Sequence, residues 1–146
     1  MISTIKIDGT WKGGFRTDVK AGDHVLIIDQ PEAAGGKNEG PNPLEYFLFA
    51  LGGCLGTIAA IVARQERIDL KAFNVSVEGD LDKAFLMGKT TEGRAGFTEI
   101  RVAVDIDADM TDEEKQAFFK KVDARCPISD NMVKAVSYTH LTLPTN

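Results

Sequence analysis

Cysteine and histidine are scarce in this 146-residue chain, which has two of each. Two cysteines are too few for the disulfide framework of a small secreted scaffold. The first residues, MISTIKIDGTWKGG, lack a basic segment followed by an apolar one, so no secretory signal is expected and a reducing cytoplasm is. Lys and Arg form no run, and the formal net charge is −5. That leaves no electrostatic footprint for a nucleic-acid backbone and makes nucleic acid an unexpected partner. His24, Cys54, Cys126 and His140 show none of the short local spacing of structural zinc, so no metal is expected. Internal repeats and low-complexity blocks are also missing, which excludes solenoids and fibrous arrays.

What is present reads as one globular core, with 43% hydrophobic and 27% charged residues. A single domain is expected over 1–136. The last ten residues, SYTHLTLPTN (137–146), have no clear periodicity and read either as a weak final strand or as sequence foreign to the domain, so no chemistry is placed on His140.

Leu44 to Ala63 is apolar for nearly the length of a membrane span. Glu45 near one end and Gly52, Gly53 and Gly56 within it argue for a core helix instead. A helix that is apolar almost all round needs cover on every face, which in so short a chain implies a dimer and no membrane.

Around it, Ile2–Ile7, Phe15–Lys20 and His24–Asp29 read as three strands of an antiparallel meander, with DGT as the first turn. PEAAGGKNEGP is a Gly-rich polar loop of the kind that lines or covers a site. Asn42, Pro43 and Glu45 mark a helix start with a capping box, and the helix runs to about Arg67. Phe73, Val75 and Val77, then Ile100, Val102, Val104 and Ile106, alternate as half-buried strands joined by the exposed GKTTEGRAG segment. Thr111 and Glu114 form a second capping box before a helix through Ala124, and a short helix follows Pro127. Strands, one long helix, then strands and helices predict an α+β fold with antiparallel sheets.

The two thiols sit in unlike settings. Cys54 lies three turns into the long helix, beyond the first-turn dipole, and would need a neighbouring side chain to favour its thiolate. The glycines around it leave room for another segment to approach. Cys126 stands where an N-cap would, ahead of amides that favour a thiolate. Each also has a plain reading as a packed, inert residue.

The stretch GFRTDVKAGDHVLIIDQPEAAGGKNEGPNPLEYFLFALGGC, followed by a helix, VSVEGDLD and a late CPIS, resembles the OsmC/Ohr family of thiol-dependent peroxidases. The resemblance covers about residues 13–136 and is closest to OsmC-like members; its specific core is GPNPLEYFLFALGGC. It implies two intertwined chains with long helices packed at the centre. It further implies a peroxidatic cysteine, matched by Cys54, that attacks a hydroperoxide, and a resolving cysteine, matched by Cys126, that closes a disulfide for a dithiol reductant to reopen. Arg16 matches the family arginine that stabilises the thiolate. Glu45 matches the acid that orients this arginine, at an offset from Cys54 that differs by one residue from the best-studied members. Tyr46, Phe47, Phe49 and Leu51 would offer an apolar wall to an alkyl hydroperoxide. No cofactor is implied. The alternative readings are a non-catalytic OsmC-like protein that binds a small apolar ligand, and an assembly role with both thiols idle.

Overall fold

A computed structural model describes residues 1–139 and divides the chain into two compact units, Met1–Phe49 and the part from Ala50 onward.

The first unit is built on a three-stranded antiparallel sheet of β1 (Asp8–Trp11), β2 (Thr17–Ala21) and β3 (His24–Ile28), in the order β1-β2-β3. The meander is as expected, but its first strand is not Ile2–Ile7. The turn after β1 is set by Gly13 and Gly14, both at positive φ, with Lys12 N–H donating to the Arg16 carbonyl. Counting back from that turn pairs Trp11 with Thr17 and Asp8 with Lys20. β2 ends at Ala21, the position that this register sets opposite Ile7, so the alternating residues before Ile7 have no strand opposite them, and DGT lies in the strand rather than in a turn. β2 and β3 are joined across a two-residue turn at Gly22, where φ is 60°.

The loop from Gln30 to Pro41 contains one short 3-10 turn, Glu32–Ala34. It ends at α1 (Pro43–Glu66), within which the division between the units falls. The capping box forms as its residues require: Asn42 Oδ1 accepts Glu45 N–H at 3.0 Å, and Glu45 Oε2 accepts Asn42 N–H at 2.8 Å. The helix stops where Arg67 takes φ 57° and Ile68 N–H returns to the Ala63 carbonyl.

The second unit carries the apolar core. Leu51, Leu55, Ala59, Val62 and Ala63 form the buried stripe of α1. Gly52 is buried beside them and faces Val75 and Val77, from each of which a Cβ there would stand at an ordinary contact distance of 3.5 Å. That sheet is β4 (Ala72–Asp80) paired antiparallel with β5 (Glu99–Asp107), with Val75 opposite Val104 and Val77 opposite Val102. Their alternation is the one predicted, except that Val102 is 38% exposed. The connection adds one short helix, α2 (Lys83–Leu86), capped by Asp82. α3 (Asp112–Ala124) opens with the Thr111–Glu114 capping box and contributes Phe118 and Val122 to the core. α4 (Pro127–Val133) follows directly.

α1 has the length and mean hydropathy, 2.0, of a membrane span, and one chain buries a third of that apolar window. No strand forms over 135–139, and the rest of the C-terminal tail, His140 included, lies outside the described residues.

Candidate functional site

The two cysteines, 72 residues apart in sequence, meet in the second unit with their Sγ atoms 2.9 Å apart. Both thiols are free. Cys54 projects from the middle of α1 and is half-buried; Cys126, 1% exposed, belongs to the core itself. Local sequence explains the second placement. α3 ends at Ala124, Arg125 closes it, and Pro127 starts a new helix, so Cys126 becomes the N-cap with its sulfur accepting Ser129 N–H at 3.4 Å. On Cys54 the glycines at 53 and 56 leave open space where a Cβ would stand.

Burial pushes the Cys54 thiol up, and its hydrogen bond with Cys126 pushes the same way; the Ile128 backbone amide pulls it down. The next amide of α4, Ser129 N–H, donates to the Cys126 sulfur. Within this unit no Arg or Lys side chain among the described residues is hydrogen-bonded to either sulfur. The arrangement is suited to two-electron sulfur chemistry, because the pair needs only about 0.9 Å of closing to reach the ~2.05 Å of a disulfide.

Arg16 and Glu45 belong to the first unit, and no ion pair joins them among the described residues. Arg16 is gripped by Asp18, through Nε–Oδ1 at 2.7 Å and Nη2–Oδ2 at 3.2 Å, and by Glu39 at 3.1 Å. These carboxylates hold its guanidinium even more firmly charged than usual, while the Asp18 carboxyl is held below the ordinary range, chiefly by Arg16. Glu45 bonds to the Asn42 amide, as a capping residue does. Asp18, in β2 and two residues after Arg16, which stands just before that strand, is a partner that a two-residue spacing allows one to find. Glu39 is placed by a device that the sequence shows less plainly. The buried Asp29 accepts the N–H groups of Gln30, Lys37 and Glu39, and so folds the Gly-rich loop around one carboxylate.

A cleft of about 720 Å³ opens in the same unit, lined by Leu26, Glu39, Pro41, Glu45, Tyr46 and Phe49. Tyr46 Oη donates to the Ile27 carbonyl at 2.9 Å and so fixes one wall. Of the expected apolar wall, Tyr46 and Phe49 line this cleft, whereas Leu51 is in the core of the other unit.

An α+β chain with two free thiols in contact, one on a long apolar helix and one at a helix cap, defines a dithiol protein. The chain belongs to the OsmC family, described as OsmC-like protein, whose pattern it matches over residues 36–140. It is similar to a hydroperoxide reductase of Mycoplasma genitalium, at 26% identity over 96 residues, which are 66% of this chain and 64% of that relative. The fold is shared with an OsmC-like protein of Mycoplasma pneumoniae at a TM-score of 0.80 and 20% identity, covering 92% of this chain and 91% of the other. It is also shared with an organic hydroperoxide resistance protein of Legionella pneumophila, at a TM-score of 0.64 and 23% identity over 92% of each chain.

Proposed function

We propose that this chain is a thiol-dependent peroxidase for organic hydroperoxides, and for hydrogen peroxide as a smaller substrate. The observation that carries this reading is the 2.9 Å contact of Cys54 with Cys126. The Cys54 thiolate attacks the outer oxygen of the hydroperoxide, the O–O bond breaks, and the alkoxide takes a proton to leave as alcohol. Cys54 is now a sulfenic acid. Cys126 gives up its proton and attacks the Cys54 sulfur, the S–O bond breaks, and the hydroxyl departs with that proton as water. A dithiol reductant reopens the disulfide by exchange. Arg16 is assigned to stabilising the thiolate and the developing charge, and Glu45 to orienting Arg16, on the family pattern.

In this reading the protein is a cytoplasmic homodimer that needs no cofactor and engages neither nucleic acid nor membrane. The apolar side chains of α1 that one chain leaves uncovered support a second copy as the cover, with Ile61 38% and Phe49 74% exposed. A second reading, a non-catalytic protein holding a small apolar ligand, is favoured by the cleft beside Tyr46 and Phe49, whose volume suits a ligand.

The test is intact-mass spectrometry of reduced protein before and after one equivalent of cumene hydroperoxide, with peptide mapping. Loss of two hydrogens with Cys54 linked to Cys126 is expected, and Cys54→Ser should abolish turnover. Unchanged mass with both thiols free, or full turnover by Cys54→Ser, would reject the peroxidase and leave the ligand-binding reading.

A further inference from the structure

The thiol pair has a neighbour that the reaction above leaves unused, the hydrogen bond from Ser129 Oγ to Asp123 Oδ1 at 2.6 Å. Its length is that of a charge-assisted bond. It ties the last turn of α3 to the first turn of α4, and it is the one bond between side chains of these two helices among the described residues. Asp123 acts twice, because its main-chain carbonyl also accepts Cys126 N–H at 3.1 Å. One residue thus holds position 126 through the backbone and position 129 through its carboxylate. The segment between them ends at the Ser129 N–H that meets the Cys126 sulfur at 3.4 Å, while the Cys126 sulfur itself lies 2.9 Å from that of Cys54.

We infer that Asp123 and Ser129 are positioning residues, whose hydrogen bond holds Cys126 and the start of α4 against Cys54 and so sets the rate at which the two sulfurs join. Holding reacting atoms near contact distance is what makes an intramolecular step fast, and a segment free to swing lowers that advantage. In the physiological cycle this inference rests on the peroxidase reading, where closure competes with a second peroxide that converts the Cys54 sulfenic acid to sulfinic acid. A looser α4 shifts that competition towards sulfinic acid.

The experiment separates the two ideas by driving closure with diamide, an azo oxidant that takes one hydrogen from each thiol to become a hydrazine and needs no peroxidase. Reduced full-length protein is mixed with diamide, quenched with acid and a maleimide, and scored by mass. Ser129→Ala and Asp123→Ala should close roughly tenfold more slowly, the order expected for loss of a bond to a charged group. Ser129→Thr, which keeps the hydroxyl, should close near the wild-type rate. So should Lys121→Ala, which breaks the nearby ion pair with Glu66 and touches neither sulfur. With excess cumene hydroperoxide, Ser129→Ala should also give more sulfinic acid than wild type. Closure by Ser129→Ala at the wild-type rate, or by Ser129→Thr as slowly as Ser129→Ala, would overturn the inference. If Asp123→Ala does not fold, the alanine and threonine variants of Ser129 decide. A wild type that closes with diamide but ignores peroxide would end the peroxidase reading and leave the positioning role intact.

Discussion

The two units of this chain are ordered by different physics. Among the described residues from Ala50 onward nine apolar side chains are buried, including Leu55, Val62, Phe118 and Cys126. In Met1–Phe49 the one buried residue is a carboxylate, Asp29, while Trp11, Phe15, Val25 and Leu26 are all exposed. One unit is held by the hydrophobic effect, the other by backbone hydrogen bonds and polar staples. The chemistry divides the same way, with sulfur in the second unit and the guanidinium and its carboxylates in the first. A strand rich in Val and Ile therefore signals a surface that needs cover without saying which surface supplies it.

Truncating one leucine in each unit gives the sharpest contrast. Leu55, 1% exposed among α1, β4 and α3 neighbours, should cost about 2–5 kcal/mol when changed to alanine, through lost transfer energy and a cavity. Leu26, 43% exposed, should cost no more than about 0.5 kcal/mol if nothing covers it. Urea unfolding of both variants at two protein concentrations reads the difference. A cost above about 1 kcal/mol at Leu26 that depends on concentration would break the contrast, because it would mean that a second copy buries this sheet.

The polar staple can be tested by itself. Asp29→Ala leaves the amides of Gln30, Lys37 and Glu39 without their acceptor and should open residues 30–41 to proteolysis, with little change in the unfolding of the second unit. Its pH dependence has a definite sign. The Gln30 amide first, then those of Glu39 and Lys37, hold the Asp29 carboxyl below the ordinary range against the cost of burial. Its contribution is then complete above the usual ~3.9 and lost as pH falls through the lower folded value. Protection of the loop should stay level from neutral pH down to about 5 and fail only below about 4. Failure already at pH 6 would point to some other titrating group.

How much of this was legible beforehand depended on whether the determining interaction was local. Both capping boxes, the alternation of β4 and β5 and the N-cap place of Cys126 are set by residues within a few positions of one another, and each formed as read. The start of β1 was misjudged because alternation in Ile2–Ile7 reports a suitable surface, whereas the register is set by the Gly13–Gly14 turn. Contact between the two cysteines came through family resemblance, not spacing, since 72 residues of chain separate them. Glu39 as a partner of Arg16 was hidden because a loop folded around Asp29 delivers it. The Ser129–Asp123 bond had no sequence signal beyond two polar residues flanking a cap.

The pH profile of Cys54 alkylation asks whether the two units act separately on the thiol. Burial and Cys126 both raise its folded value, so the local contribution to stability is complete below the ordinary ~8.5 and is lost as pH rises through that raised value. Cys126→Ala removes one upward push, leaving burial opposed by the Ile128 amide, and should let Cys54 become reactive at lower pH than in the wild type. Arg16→Ala should move the midpoint the other way, upward, if the guanidinium serves the thiolate as proposed. Shifts of opposite sign in the two variants would make Cys54 a group set by both units. An Arg16→Ala profile that overlays the wild type would leave the guanidinium to Asp18 and Glu39 alone, and the thiol chemistry would then belong wholly to the unit with the apolar core.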